Sequence, residues 1–179
     1  MAGIVRLDKI HSVKAGHLFD VVADEELQNG FIGVLGDLAS DDDRELRKLE
    51  KPQHLEEGQY VLVASPEINY DQYKKTDDAL EKFVIPAGTA TRAYTLVEGD
   101  IYSVSSDLVK PASGSKCVKG NFVTPIVDAY TYEEKADAGT SKLALKIDAI
   151  EKIGRGVVIG GAGHVDRATE FIVMKVVRN

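Results

Sequence analysis

Short apolar runs alternate with turn-forming residues along the chain, at a spacing of about ten residues. The runs are three to nine residues long and rich in Val, Ile, Tyr and Phe, and several alternate between apolar and polar positions. This length and this period of two favour β-strands over helices. The predicted strands are 18–23, 31–35, 59–64, 82–85, 91–96, 100–104, 121–124, 143–150, 157–159 and 169–177.

Glycines mark the entries to several of these strands. Asn29-Gly30 precedes one strand, and such a pair supplies the positive φ that a tight turn needs. Residues 55–65 and 96–106 share a Leu-Glu-Gly turn that leads into an alternating strand, and 118–123 is a weaker third copy. A solenoid needs at least three clear repeats, so we interpret the copies as similar turns in one β-fold.

Helix signals are few. Residues 40–52 carry a capping Ser40, acidic residues early, basic residues late and a terminating Pro52, but only Leu46 and Leu49 to bury. A short helix and an exposed strand therefore both remain open there. A short helix is also predicted at 76–82, with Thr76 as its cap.

These patterns predict a mainly β protein with small antiparallel barrel- or sandwich-like units, little helix and long loops. Residues 1–17 contain few large apolar residues and are predicted to form an N-terminal arm. The stretch 111–115 has the composition of a linker, so we divide the rest into β-rich units at 18–112 and 113–179. One continuous β-domain is the alternative.

Composition narrows the class of protein mainly by exclusion. Of 179 residues, 44% are hydrophobic, which is too many for a disordered chain. A single Cys excludes an internal disulfide framework, and no apolar run reaches the roughly 18 residues of a membrane span. The formal charge of −7 argues against a general nucleic-acid binder. A soluble, acidic protein made without secretion and bound to neither membrane nor nucleic acid is expected.

The glycine-rich stretch 157–164 is the most conspicuous local motif. It has the form of a strand that enters a dinucleotide-binding loop, but that fold needs a further helix, a second strand and an acidic residue about 20 positions on. The chain ends too soon after the motif to provide them. We therefore interpret residues 157–164 as a hairpin or loop that offers an interaction surface.

No catalytic, cofactor or metal site is predicted. The four histidines, His11, His17, His54 and His164, lack metal-ligand spacing. Cys117 lies in no protease or redox motif, although Lys116 and Lys119 would lower its pKa slightly. The acidic runs lack the alternate ligand spacing of a calcium loop and are interpreted as solvated charge.

Several stretches resemble a group of small structural proteins of tailed bacteriophages, usually encoded near the major capsid protein. The resemblance spans most of the chain as a series of strand phrases, at residues 30–38, 60–71, 87–104 and 170–179. It implies a virion component without enzymatic activity, most similar to an auxiliary capsid protein of the decoration or cement type. Such a protein would be made in the bacterial cytoplasm, bind the outside of an assembled shell through the major capsid protein, and strengthen it.

Candidate capsid contacts follow from exposed apolar or aromatic character. They are Ile4, Val5, Arg6, Leu7, Tyr70, Tyr73 and His164. Self-association is a further expected property. Two other functions stay open: a head–tail connector, tail or fibre-associated subunit, and a small ligand-binding or enzymatic β-barrel whose site is assembled from scattered residues.

Overall fold

The computed structural model describes residues 3–41, 43–67, 83–114, 116–154, 156–159, 163–166 and 169–179. For 156–159 and 163–166 it describes the backbone alone. The predicted helix at 76–82 lies outside the described residues. Strands make up 50% of the structure and helix 4%, so the mainly β, barrel-containing fold is confirmed.

The first half of the chain closes into a five-stranded barrel. Its strands are β2 (Leu18–Val22), β3 (Ile32–Ser40), β4 (Asp43–Glu50), β5 (Tyr60–Val63) and β6 (Thr91–Thr95). Around the barrel they follow the order β2-β4-β3-β5-β6. The β2 and β4 strands pair in parallel, whereas the other neighbours are antiparallel. Closure leaves the barrel without a free edge.

A seven-stranded sheet packs beside the barrel. Its strands are β1 (Val5–Lys9), β7 (Ile101–Ser105), β8 (Val109–Lys110), β9 (Phe122–Pro125), β10 (Tyr132–Lys135), β11 (Ala144–Ile153) and β14 (Thr169–Arg178). They lie in the order β1-β7-β14-β11-β9-β10-β8. Two further strands, β12 (Gly156–Ile159) and β13 (Gly163–Asp166), form a separate two-stranded sheet. The one described α-helix, α1, spans Ser12–Ala15.

Strand β5 contributes side chains to both hydrophobic cores, the one inside the barrel and the one between the barrel and the sheet. All four of its residues are buried. Tyr60 and Leu62 join the core between the barrel and the sheet, while Val61 and Val63 fill the barrel interior. Because successive side chains of a strand point to opposite faces, a strand buried on both faces has a continuous apolar sequence. This explains the unbroken run at 60–63.

The predicted turn glycines adopt the backbone conformation that the sequence requires. Gly30, Gly58, Gly99 and Gly120 have φ values of 90°, 89°, 95° and 93°. Three of them are the third residue of hydrogen-bonded turns, in which Phe31 N–H donates to Gln28, Asp100 to Val97 and Asn121 to Val118. The similar sequences at 55–65 and 96–106 thus share a glycine with positive φ shortly before a strand, β5 in the first and β7 in the second.

The N-terminal segment differs from the expected arm. Residues 5–9 form β1, which pairs with β7, and Ile4 is buried. The alternate residues Val5 and Leu7 pack against the core. The sequence did not predict this strand because the charged residues Arg6, Asp8 and Lys9 interrupt its apolar pattern. The described part of 1–17 is thus a strand and a short helix attached to the sheet.

Strand positions bear on two further sequence interpretations. Of the alternatives at 40–52, the strand is correct, because Asp43–Glu50 is β4. The seven-stranded sheet contains strands from both sides of residue 113, the predicted boundary between the two β-rich units. One core cluster likewise joins Tyr60 of the barrel with Tyr132 and Met174 of the sheet.

Candidate functional site

Two interior strands of the large sheet continue, along the strand direction, into a β-ribbon that extends past the neighbouring strands. β11 and β14 pair as far as Ile153 opposite Thr169. Three residues further along each strand, Gly156 lies opposite Asp166, and the pairing continues to Ile159 opposite Gly163. The register is therefore unchanged, so β12 and β13 extend the same hairpin. We call β12 and β13 together the ribbon. Within the described residues, no third strand pairs with it.

The ribbon is chemically unlike the rest of the chain. Charged residues make up 28% of the sequence, yet residues 156–165 contain none. In register, Val157 lies opposite Val165 and Val158 opposite His164. A two-stranded ribbon in water is marginally stable at best, because it has little apolar surface to bury against itself. Packing against another molecule would supply that burial.

An open groove of about 690 Å³ lies at the base of the ribbon. Lys152, near the end of β11, and Glu170, near the start of β14, line one side. Lys110 and Lys116 line another part of it. Lys116 Nζ lies 4.0 Å from a carboxylate oxygen of Glu170. We call this feature the basal groove.

A buried carboxylate holds the wall of the basal groove in place. Glu134 is 3% exposed and accepts hydrogen bonds from Ala112 N (3.0 Å), Val118 N (2.7 Å) and Asn121 Nδ2 (2.7 Å). Burial by itself would raise the pKa of Glu134, but these bonds and one from the Cys117 thiol outweigh it and lower the pKa. Glu134 therefore fixes both ends of the loop between β8 and β9.

The environment of Cys117 makes it unreactive. Its side chain is buried, and burial together with the charge of Glu134 raises its pKa to about 11. The expectation that Lys116 and Lys119 lower this pKa is wrong, because the buried thiol donates to a carboxylate instead of facing solvent beside the lysines. A protonated thiol is neither a nucleophile nor a metal ligand at neutral pH.

Two buried tyrosines link the sheet to the turn at Gly30. The hydroxyls of Tyr102 and Tyr132 lie 3.3 Å apart, and Tyr132 Oη donates to the Gly30 carbonyl at 3.0 Å. Both side chains are fully buried, and burial raises the pKa of each phenol. With neutral, mutually hydrogen-bonded hydroxyls they act as structural groups.

The seven residues that the sequence predicts as capsid contacts do not form one exposed surface in the described structure. Ile4 is buried, and Val5 and Leu7 pack partly against the core. Arg6 lies over the Phe171 ring and pairs with Asp8 at 3.2 Å and Glu151 at 3.4 Å. These side chains are therefore largely engaged within the molecule.

The remaining three predicted contacts have different positions. His164 belongs to β13 and thus to the ribbon, where the backbone alone is described. Tyr70 and Tyr73 lie outside the described residues. Sequence reasoning missed Lys110, Lys116 and Lys152, because they come from separate segments and no local motif connects them.

The described ranges contain neither a metal-binding cluster nor a membrane-spanning helix. There, no group of three or more His, Cys, Asp or Glu side chains is arranged to hold a metal ion. Nor do these ranges include a helix with the length and apolar character to cross a membrane. Comparison of the chain with protein-family models, with curated proteins and with solved structures finds no match.

Proposed function

We propose that this protein binds the outside of an assembled tailed-phage capsid and stabilises it, as a decoration or cement protein. The observation that carries the proposal is the ribbon: a two-stranded extension in which residues 156–165 include no Asp, Glu, Lys or Arg, and which has no third strand within the described residues. The resemblance to phage structural proteins supplies the identity of the partner. The protein would act in the virion, on the capsid surface, after synthesis in the bacterial cytoplasm.

The physical basis of such binding is the addition of modest contacts. A ribbon can pack its apolar residues on a neighbouring surface or pair its edges with a neighbouring strand. If the ribbon contacts one capsid subunit while the globular body contacts another, the second contact forms at a high effective concentration. Binding would then be strong on assembled shells and weak on free capsid subunits, and it would hold adjacent subunits together.

Removal of the ribbon is expected to abolish binding to heads without unfolding the protein. Replacing residues 154–168 with Asn-Gly leaves Ile153 opposite Thr169, the register that a two-residue hairpin turn closes. We expect the intact chain to co-sediment with purified heads of the phage that encodes it. The shortened chain should bind at least about tenfold more weakly. A tenfold rise in the dissociation constant corresponds to a loss of only about 1.4 kcal/mol of binding free energy.

Two controls make the sedimentation experiment decisive. The shortened chain must unfold cooperatively at the same temperature as the intact chain, which shows that the barrel and sheet persist. Unassembled capsid protein should bind neither chain. If the intact chain stays in the supernatant, capsid binding is refuted; if both chains sediment equally, the ribbon is not the contact.

A further inference from the structure

We propose that the basal groove binds a short, extended acidic segment of the capsid partner. This inference rests on the proposed function, because that function supplies the partner. The groove lies where the ribbon leaves the sheet. A protein docked on the ribbon would therefore have other segments of its own chain close to the groove. An acidic segment in the groove would form a second contact with the partner, separate from the ribbon.

The charged residues that line the basal groove favour an acidic ligand. Lys110, Lys116 and Lys152 come from β8, from the following loop and from β11, and all three line the groove and are exposed. The carboxylates in the lining are Asp107 and Glu170, and Glu170 is paired with Lys116. Among the described residues, Lys110 and Lys152 make no ion pair. In the strand register Lys110 lies opposite Glu133 and Lys152 opposite Glu170. The lining therefore holds three lysines against two carboxylates, a small local excess of positive charge on a chain of net charge −7.

The shape of the site is fixed before a ligand binds. Leu108, Val109 and Tyr132 line the groove and are 4%, 2% and 0% exposed. Glu134 anchors the adjacent wall through Ala112 N and Val118 N. A site held by packed side chains and buried hydrogen bonds loses little conformational entropy when it binds a ligand. A rigid groove of about 690 Å³ is large enough for several residues of a peptide.

The backbone of β11 favours an extended ligand. β11 pairs with β9 only at Leu145 and Lys146, with Ile147 bonded to Asn121. On that side, residues 148–153 have no strand partner in the described part of the chain. Unpaired main-chain groups along a strand are the template for strand addition, and Lys152 lies within this stretch.

A peptide fits these observations better than a nucleic acid. Binding of an extended polyanion needs many phosphate contacts over a large basic surface, and an overall charge of −7 repels it. A short acidic segment contacts only the groove, where three lysines outnumber two carboxylates. Capture of the segment would also be sensitive to salt, because the contacts are exposed charges.

The test uses the full chain and a fluorescein-labelled hexaglutamate peptide, with binding followed by fluorescence anisotropy at low salt. We expect saturable binding that weakens at least tenfold in K110E/K116E/K152E. The variant K9E/K14E/K175E changes three other exposed lysines and has the same net charge, and we expect it to bind like the parent. Equal weakening in both triple variants would show that only net charge matters, and would overturn the site.

Further variants and probes remove the remaining ambiguities. If K110E/K116E/K152E fails to fold, the milder K110Q/K152Q replaces it, with an expected weakening of at least threefold. A 12-nucleotide oligothymidylate should not compete with the peptide; displacement of the peptide by it would overturn the assignment to a peptide.

The source of the segment is tested on heads. Reduced sedimentation of K110E/K116E/K152E with phage heads, relative to K9E/K14E/K175E, supports a capsid segment. Loss of peptide binding with unchanged head binding refutes that source. A failure of the capsid proposal itself is recognised separately, because the peptide assay contains no heads.

Discussion

Replacement of Glu134 by leucine is expected to lower the free energy of unfolding by about 3–5 kcal/mol, the usual cost of removing one partner from a buried charged network. Leucine has a similar size but accepts no hydrogen bond. The N–H groups of Ala112 and Val118 and the amide of Asn121 would lose their acceptor while still held near the core. The loop between β8 and β9 would then lose the anchor that positions both of its ends.

Equilibrium denaturation in urea measures this effect. Glu134→Gln keeps one acceptor oxygen but loses the charge, and we expect an intermediate loss of about 1–2 kcal/mol. The matched control is Glu133→Gln on the neighbouring residue, whose carboxylate pairs, among the residues that the structure describes, with Lys135 at a partly exposed position. That change should cost less than about 1 kcal/mol. A loss below 1 kcal/mol in Glu134→Leu would contradict the anchoring role.

The lowered pKa of Glu134 also predicts how stability depends on pH. A carboxyl group whose pKa in the folded state lies below its ordinary value of 4.5 binds protons more readily when unfolded. Its contribution is therefore complete above pH 4.5 and is lost as the pH falls through the folded-state pKa. Glu134→Gln cannot titrate, so the difference in stability between parent and variant should shrink as the pH is lowered below 4.5.

Gly30→Ala is expected to destabilise the protein by about 2–5 kcal/mol, through two separate effects. The backbone φ of Gly30 is +90°, which residues with a Cβ rarely adopt. A Cβ there would also lie 2.6 Å from Leu108 Cδ1 and 3.3 Å from Val104 Cγ1, both in the core. Displacement of the turn would disturb the Gly30 carbonyl that accepts from Tyr132.

A second glycine separates these effects. Gly99 has nearly the same φ, +95°, but among the described residues no atom beyond its two chain neighbours lies within 4 Å of a Cβ built there. Gly99→Ala should therefore cost only the backbone strain, about 1–2 kcal/mol. Thermal and urea unfolding of both variants gives the comparison. Equal losses would show that the core at Leu108 absorbs the added methyl group, contrary to the tight packing described.

Local sequence signals predicted the local structure well. Alternating runs became strands, as at 91–95 and 101–105, and glycines followed by polar residues became turns with positive φ. These features depend on steric rules that act within a few residues. The strand at residues 5–9 was missed because Arg6 and Asp8 face away from the core and interrupt the apolar run.

The candidate site was predicted only in part. The stretch at residues 157–164 was predicted to be a hairpin or loop, and β12 and β13 pair there. Its use as an interaction surface stays a prediction. The basal groove was not predictable, because Lys110, Lys116 and Lys152 are brought together by the order of strands in the sheet. The role of Glu134 was equally hidden, since its partners lie 13 to 22 residues before it in the sequence.

Electron cryomicroscopy of phage heads saturated with the full-length protein tests the central claim most directly. We expect added density on the outer surface at symmetry-related positions, with the ribbon against a capsid subunit and the basal groove facing a chain segment. Heads without added density, or density confined to the portal vertex or tail, would contradict it.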